Sequence, residues 1–258
     1  RGRASAHNPT PLHRGILAAL LSLLILPSGA TLANDLAVPG GAKPEFIQQI
    51  WTRQHGLPDN AVQAILQTRD GFLWLGTRAG LARFDGREFK VFNHLDSDAF
   101  VSDDCLALAE DRDGSLWIGT TSGLIHARRG EFTRYTVKDG LLHDRVTALC
   151  ASRAGDLWIG TYEGVSRWRN GQFGALPPSH AKPHADDRMI LSIYEDRTGA
   201  VWVASMSSLS RWDASPDQLT AASTPWPDGM SLANGIAEDH QGTLWFYSSR
   251  VFRYSMAG

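Results

Sequence analysis

The sequence predicts an all-β chain folded as a β-propeller of four-stranded blades. Three observations predict it. Trp74, Trp117, Trp158, Trp202 and Trp245 recur at intervals of 43, 41, 44 and 43 residues. A fixed period of that length marks an array in which each unit buries a face against the next. The columns around each Trp also return: Gly three residues before it, an aliphatic residue directly before, an apolar residue directly after, and Thr or Ser three residues on (Thr77, Thr120, Thr161, Ser205, Ser248). Finally, glycine recurs inside every unit and no window sustains a 3.6-residue apolar period, which argues against a helical array.

Taken in order, the first unit reads as four strands. Ala61–Gln67 is an apolar run with strand character, and Arg69-Asp70-Gly71 is a turn signal. Phe72–Thr77 is the second strand and Gly80–Phe84 the third. Asp85-Gly86 is a hairpin signal of the kind that needs positive φ, repeated as Asn170-Gly171. Glu88–Phe92 is the fourth strand. Four short strands per period is the propeller-blade pattern. The tryptophans then sit on second strands, filling the wedge between sheets, a burial worth about 3–5 kcal/mol against Ala.

The ends of the array leave two readings open. Glu45–Trp51 resembles a fourth strand with no blade of its own, and the fifth unit stops after a third strand at about Val251–Tyr254. Pairing the two would close a five-bladed ring and remove exposed edges. Alternatively, the five repeats are part of a larger, seven-bladed propeller. The propeller is assigned to residues 45–258.

Composition is that of a globular domain, with 20% charged and 43% hydrophobic residues in a chain of 258. A net charge of −2 and the lack of a basic stripe give no reason to expect nucleic acid. Arg1, Arg3 and Arg14 flank the apolar run Ile16–Leu26, which Pro27, Ser28 and Gly29 break. Residues 1–33 therefore read as a secretory signal peptide with its flank, too short for a span of about 20 residues. Periplasmic location follows from that reading, with membrane attachment only through this segment or a helix after the propeller. Cys105 and Cys150 fall in apolar first-strand columns and read as buried, reduced thiols. No CxxC spacing, calcium-loop order in Asp96–Asp104, or third ligand for His180 and His184 is present, so no metal or cofactor is expected. No nucleophile elbow, phosphate loop or HExxH helix appears.

The run Gly71-Phe72-Leu73-Trp74-Leu75-Gly76-Thr77 through Gly80-Leu81-Ala82-Arg83-Phe84-Asp85-Gly86, preceded by Gly56-Leu57-Pro58-Asp59-Asn60-Ala61-Val62, resembles the two-component regulator propeller repeat. Gly114–Leu124 and Gly155–Arg167 repeat it well. The fourth and fifth copies depart from it, with Ala204 and Tyr247 in place of Gly76 and Ser208 in place of Gly80. The resemblance implies an extracytoplasmic sensor region, usually of seven blades. Its output module would be a histidine kinase, a diguanylate cyclase or a DNA-binding regulator. No kinase or cyclase motif occurs in these residues. The chain is expected to be the ligand-sensing portion of such a receptor and not itself an enzyme.

Loops between second and third strands share one face of a propeller with the loops linking blades, and that face surrounds the channel mouth. Candidate ligand contacts there are Arg78, Tyr162 and Glu163 from the first set, with His55, Asn60, His143, Arg145 and Arg188 from the second. They vary between copies while the scaffold columns stay constant. The expected partner is a small, glycan-derived ligand, with homodimerisation as a receptor. Two alternatives stay open. One is a propeller enzyme similar to the streptogramin lyases, with His143 and Glu163 as its acid–base pair. The other is an interaction surface with no small ligand.

Overall fold

A computed structural model describes residues 48–175, 188–214, 219–224 and 232–254. Over these, five small antiparallel sheets stand around a ring as the blades of a β-propeller. Blade one is β1 (Val62–Gln67), β2 (Leu73–Thr77), β3 (Gly80–Phe84) and β4 (Phe89–Phe92). Blade two is β5 (Cys105–Glu110), β6 (Leu116–Thr120), β7 (Gly123–Arg128) and β8 (Glu131–Tyr135). Blade three is β9 (Val146–Ala151), β10 (Leu157–Thr161), β11 (Gly164–Arg169) and β12 (Gln172–Ala175). Blade four is β13 (Ile190–Glu195), β14 (Val201–Ser205), β15 (Leu209–Ala214) and β16 (Leu219–Thr224), and blade five is β17 (Gly235–Glu238), β18 (Leu244–Tyr247) and β19 (Val251–Tyr254). Two single-turn 3-10 helices, η1 (Arg53–His55) and η2 (Val137–Asp139), precede blades one and three.

Trp117, Trp158 and Trp202 each face the following blade. Trp117 packs among Val146, Leu157 and Ile159 of blade three. Trp158 packs among Ile190, Val201 and Val203 of blade four, and Trp202 among Ala233, Leu244 and Phe246 of blade five. All three are 1% exposed. The small residue two positions after Trp is where the next blade's inner strand comes closest. A Cβ on Gly119 would lie 2.7 Å from Val146 Cγ1, and one on Gly160 2.7 Å from Ile190 Cγ2. Glycine in this column is thus a packing requirement between blades. Ala204 replaces it where the neighbour is itself small, Ala233.

A second set of contacts ties blades together on the face opposite the candidate site. Arg69 of blade one pairs with Glu110 of blade two at 3.1 Å and donates to the Asp111 and Arg112 carbonyls. Arg153 pairs with Glu195 at 3.3 Å and donates to the Asp196 and Arg197 carbonyls. Arg197 pairs with Glu238 and donates to the Asp239 carbonyl. The same geometry therefore bridges three of the four consecutive blade pairs.

One expectation holds and another needs correction. Asp85-Gly86 lies in the β3–β4 hairpin turn and supplies its positive φ, in a loop longer than two residues. Phe84 pairs with Phe89, leaving four loop residues, and only Gly86 is left-handed at φ 100 while Asp85 accepts the N–H groups of Arg87 and Glu88. The tight turns are Arg129-Gly130 and Asn170-Gly171, with φ of 52 and 85, then 50 and 81. Secondly, Glu45–Trp51 is not a strand over its described residues, 48–51. A strand exists by pairing, and among the described residues nothing pairs with 48–51 as a strand. Its last residue nevertheless docks as a fourth-strand residue would. Trp51 sits 4.8 Å from Phe84 and 5.7 Å from Phe89, as Tyr135 at the end of β8 sits 5.1 Å from Trp168 and 5.5 Å from Phe173.

Blade five differs from the others. It has three strands among the described residues, and Trp245 is 37% exposed, so no following blade covers that ring as blades three to five cover Trp117, Trp158 and Trp202. The segment 1–33, together with His180, His184 and Glu45–Ile47, lies outside the described residues. Among the described residues no helix is long and apolar enough to cross a membrane.

Candidate functional site

The loop tips are built by the repeated hydroxyl. Thr77, Thr120 and Thr161 each donate to the carbonyl three residues on, at 2.8, 2.9 and 2.9 Å. The same oxygens accept the N–H two residues on. This closes the turn and leaves the residue after the Thr at its tip: Arg78, Thr121 or Tyr162. The inter-blade loops use a parallel device three residues before the first strand's start. Asp59 Oδ1 accepts the Ala61 N–H at 2.7 Å, and Ser102 Oγ the Asp104 N–H at 3.2 Å. In blade three the acceptor is a ring nitrogen, His143 Nδ1, which takes the Arg145 N–H at 2.9 Å.

Blade three joins these two loops into one cluster. The Tyr162 N–H donates to the Arg145 carbonyl at 3.3 Å. The Arg145 guanidinium lies 4.9 Å from the Tyr162 ring centre, and His143 stacks on the same ring at 5.9 Å and 27°. Arg145 Nε is buried and has no hydrogen-bond partner. Beside it, Arg188 from the start of blade four holds Glu163 at 3.1 Å. Five of the eight candidate residues thus occupy one neighbourhood where blade three meets blade four: His143, Arg145, Tyr162, Glu163 and Arg188.

The other three are placed elsewhere. His55 Nδ1 accepts the Thr52 N–H at 3.0 Å, completing a capping box on η1. Asn60 Oδ1 accepts the Arg53 N–H at 2.9 Å. Asp139 and Asp144 do the same two jobs around η2, each at 2.8 Å. These side chains order their loops, and a Thr-x-x-acceptor-Gly-Leu pattern at Thr52 and Thr136 is the sequence signal for it. Arg78 is exposed at the tip of blade one's loop, joined to the cluster by no described contact.

The acid–base pair expected for a lyase-like reading, His143 with Glu163, is joined by no contact among the described residues. His143 spends Nδ1 on its own loop and Glu163 is held by Arg188. Among the described residues no group of three His, Cys, Asp or Glu side chains is placed to hold a metal ion. Burial pushes both thiols, Cys105 and Cys150, up to about 12, and neither forms a disulfide.

Comparison with known proteins fits this architecture. Residues 56–79, 100–122 and 140–163 match the family described as two component regulator propeller. Each match runs from an inter-blade loop through the Trp strand to a loop tip, and the third contains His143, Arg145, Tyr162 and Glu163. Over 54 residues the chain is 39% identical to histidine kinase P4 of Formosa agariphila, covering 21% of this chain and 4% of that protein. The extracellular domain of a putative hybrid two component system from B. thetaiotaomicron superposes with a TM-score of 0.62 at 20% identity, over 72% of this chain and 26% of that one. Virginiamycin B lyase from Staphylococcus aureus superposes with a TM-score of 0.61 at 15% identity, over 77% of this chain and 69% of that one. At such identities the two structures establish the propeller fold alone, and the chain spans only a small part of the kinase and about a quarter of the two-component protein. Three of the five blades of this chain thus carry a segment that matches the two-component regulator propeller family.

Proposed function

We propose that this chain is the extracytoplasmic ligand-sensing propeller of a two-component or cyclic-di-GMP signalling receptor. One observation carries the reading. Loop tips of constant backbone design gather side chains that differ from their counterparts in the other blades at one blade junction: Tyr162 in contact with His143 and Arg145, and beside it in sequence Glu163 paired with Arg188. The repeat type supports a receptor context. Glu163 and Arg188 couple the blade-three loop to blade four, so a ligand that prefers one arrangement of that junction would shift its population, which is what signalling requires. The enzymatic alternative drew on His143 with Glu163, which no described contact joins.

A thermal-shift screen of small polar metabolites and glycan fragments tests the proposal, run on the wild-type chain and on Tyr162→Ala. The expected result is at least one ligand that raises the wild-type Tm and has no effect on Tyr162→Ala, the two proteins melting alike without ligand. Ligands that stabilise both equally would place binding elsewhere and overturn it.

A further inference from the structure

We infer that the blade-three cluster recognises a carboxylate, with Arg145 as the group that reads the charge. The inference rests on the proposed ligand site and names its ligand class. Arg145 is one of two described arginines whose Nε–H is buried without an acceptor, and the other, Arg211, is held by Asp213. Arg69, Arg128, Arg153, Arg169, Arg188, Arg197 and Arg211 each pair with a carboxylate. Arg145 has no such partner among the described residues, and its Nε–H is buried without an acceptor. A buried donor left unmade is costly, and one charged acceptor removes the penalty. Carboxylates on neighbouring loop positions are engaged: Glu163 by Arg188, Asp144 by the Val137 N–H and Asp104 by Gln63 at 2.5 Å.

His143 adds a second donor. Because Nδ1 accepts the Arg145 backbone N–H at 2.9 Å, the neutral ring carries its proton on Nε2. The same loop device works with an oxygen at Asp59 and Ser102, so His143 does that job and additionally presents an N–H. With the Tyr162 hydroxyl, the cluster offers guanidinium, imidazole and phenol donors around one site. Glu163, its acceptor, is already paired. Such a set matches an acceptor-rich anion and leaves a neutral polyol with unmatched hydroxyl donors.

The test is isothermal titration with D-galacturonate, D-galactose and acetate, which separate a carboxylated sugar from the bare carboxylate and from the neutral sugar. Wild-type chain, Arg145→Gln and His143→Ser are compared. Both variants mimic what other blades tolerate, since Ala61 and Asp104 stand at the Arg145 position and Ser102 at the His143 position. Their Tm is expected to stay within a few degrees of wild type. The expected result is binding of galacturonate, or of both carboxylates, at least tenfold tighter than galactose. Arg145→Gln lowers that affinity at least tenfold, His143→Ser lowers it severalfold, and the Arg145 Nε–H resonance moves downfield on titration. Galactose binding as tightly as galacturonate, or unchanged affinity in Arg145→Gln, overturns the carboxylate assignment while leaving a ligand site at Tyr162 standing. Absence of binding by either carboxylate overturns it as well. Loss of the ligand-site reading itself shows separately, as indifference of screened ligands to Tyr162→Ala.

Discussion

Replacing Asp196 by Ala removes the acceptor that secures a buried tryptophan. Asp196 Oδ2 accepts the Trp202 indole N–H at 2.8 Å. Its Oδ1 accepts the Thr198 and Ala200 N–H groups at 2.8 and 3.1 Å and the Thr198 hydroxyl at 2.5 Å. Asp196 is 2% exposed and Trp202 1%, so water cannot take over the indole. A buried donor left unmade costs about 1–3 kcal/mol, and the hydrogen bonds to a charged acceptor that the turn loses add about 1–2 kcal/mol. The total is about 2–5 kcal/mol, or a Tm lower by about 10 °C in a domain of this size. Burial pushes the Asp196 pKa up, but the bonds from Thr198, Trp202 and Ala200 outweigh it and hold the carboxyl below its usual range. Its contribution is therefore present at neutral pH and lost as pH falls through the folded-state value. Blade three supplies the reverse experiment. There Ser152 Oγ accepts the Ala154 and Asp156 N–H groups at 3.2 and 3.1 Å, and Trp158 Nε1 is buried with no partner. Ser152→Asp extends the acceptor to the indole and is expected to raise stability by about 1 kcal/mol, since Arg169 already compensates the neighbouring Asp156. Urea unfolding followed by tryptophan fluorescence measures both. A loss under about 1 kcal/mol in Asp196→Ala, together with destabilisation in Ser152→Asp, would refute the reasoning.

Other expectations follow from burial and charge. Trp202→Ala is expected to cost about 3–5 kcal/mol by urea unfolding, and Trp245→Ala, whose ring is 37% exposed, less than about half of that; equal costs would mean that the Trp245 face is covered in solution. His126 stacks on Trp117 at 3.9 Å and bonds to Ser115 at 2.8 Å, and burial lowers its pKa although Asp113 and Asp111 oppose the shift. The unfolded chain therefore binds a proton that the folded one refuses, and stability falls as pH drops below about 6.5. In His126→Gln the slope of stability between pH 7 and 5 should be shallower; an unchanged slope contradicts the assignment. Cys105 and Cys150, with thiols pushed up to about 12, are expected to resist a thiol reagent at pH 8 until the chain is unfolded. Rapid labelling of the native chain would show that the inner strands open.

The blade layout was legible because its cause is local and repeated. Trp at one register position, a small residue two positions later and a hydroxyl three positions later each answer to a contact that recurs around the ring. The exposed surface of blade five was only half legible. A missing fourth strand showed in the sequence, but the exposure of Trp245 depends on what stands beside it. The turn signal Arg69-Asp70-Gly71 was legible, and there Asp70 accepts the Phe72 N–H as Asp113 accepts that of Ser115. The neighbouring columns were missed, although their signal was present: Asp111, Asp196 and Asp239 six residues before Trp bind its indole. Arg five residues before Trp likewise latches to Glu seven before the next Trp. Within the candidate site, a shared face placed the eight residues near one another in topology. Which of them touch depends on side-chain reach across a blade junction, which no column records, so His55 and Asn60 could not be told from Tyr162 until their capping bonds were seen.

Hydrogen–deuterium exchange of the chain with and without a stabilising ligand from the screen tests the central claim most directly. Added protection confined to residues 143–145, 161–164 and 188–190 is the result that a sensing site between blades three and four predicts. Protection at the outer strands β4, β8 and β12, or at the Arg–Glu latches on the opposite face, with the blade-three loops unchanged, would contradict it.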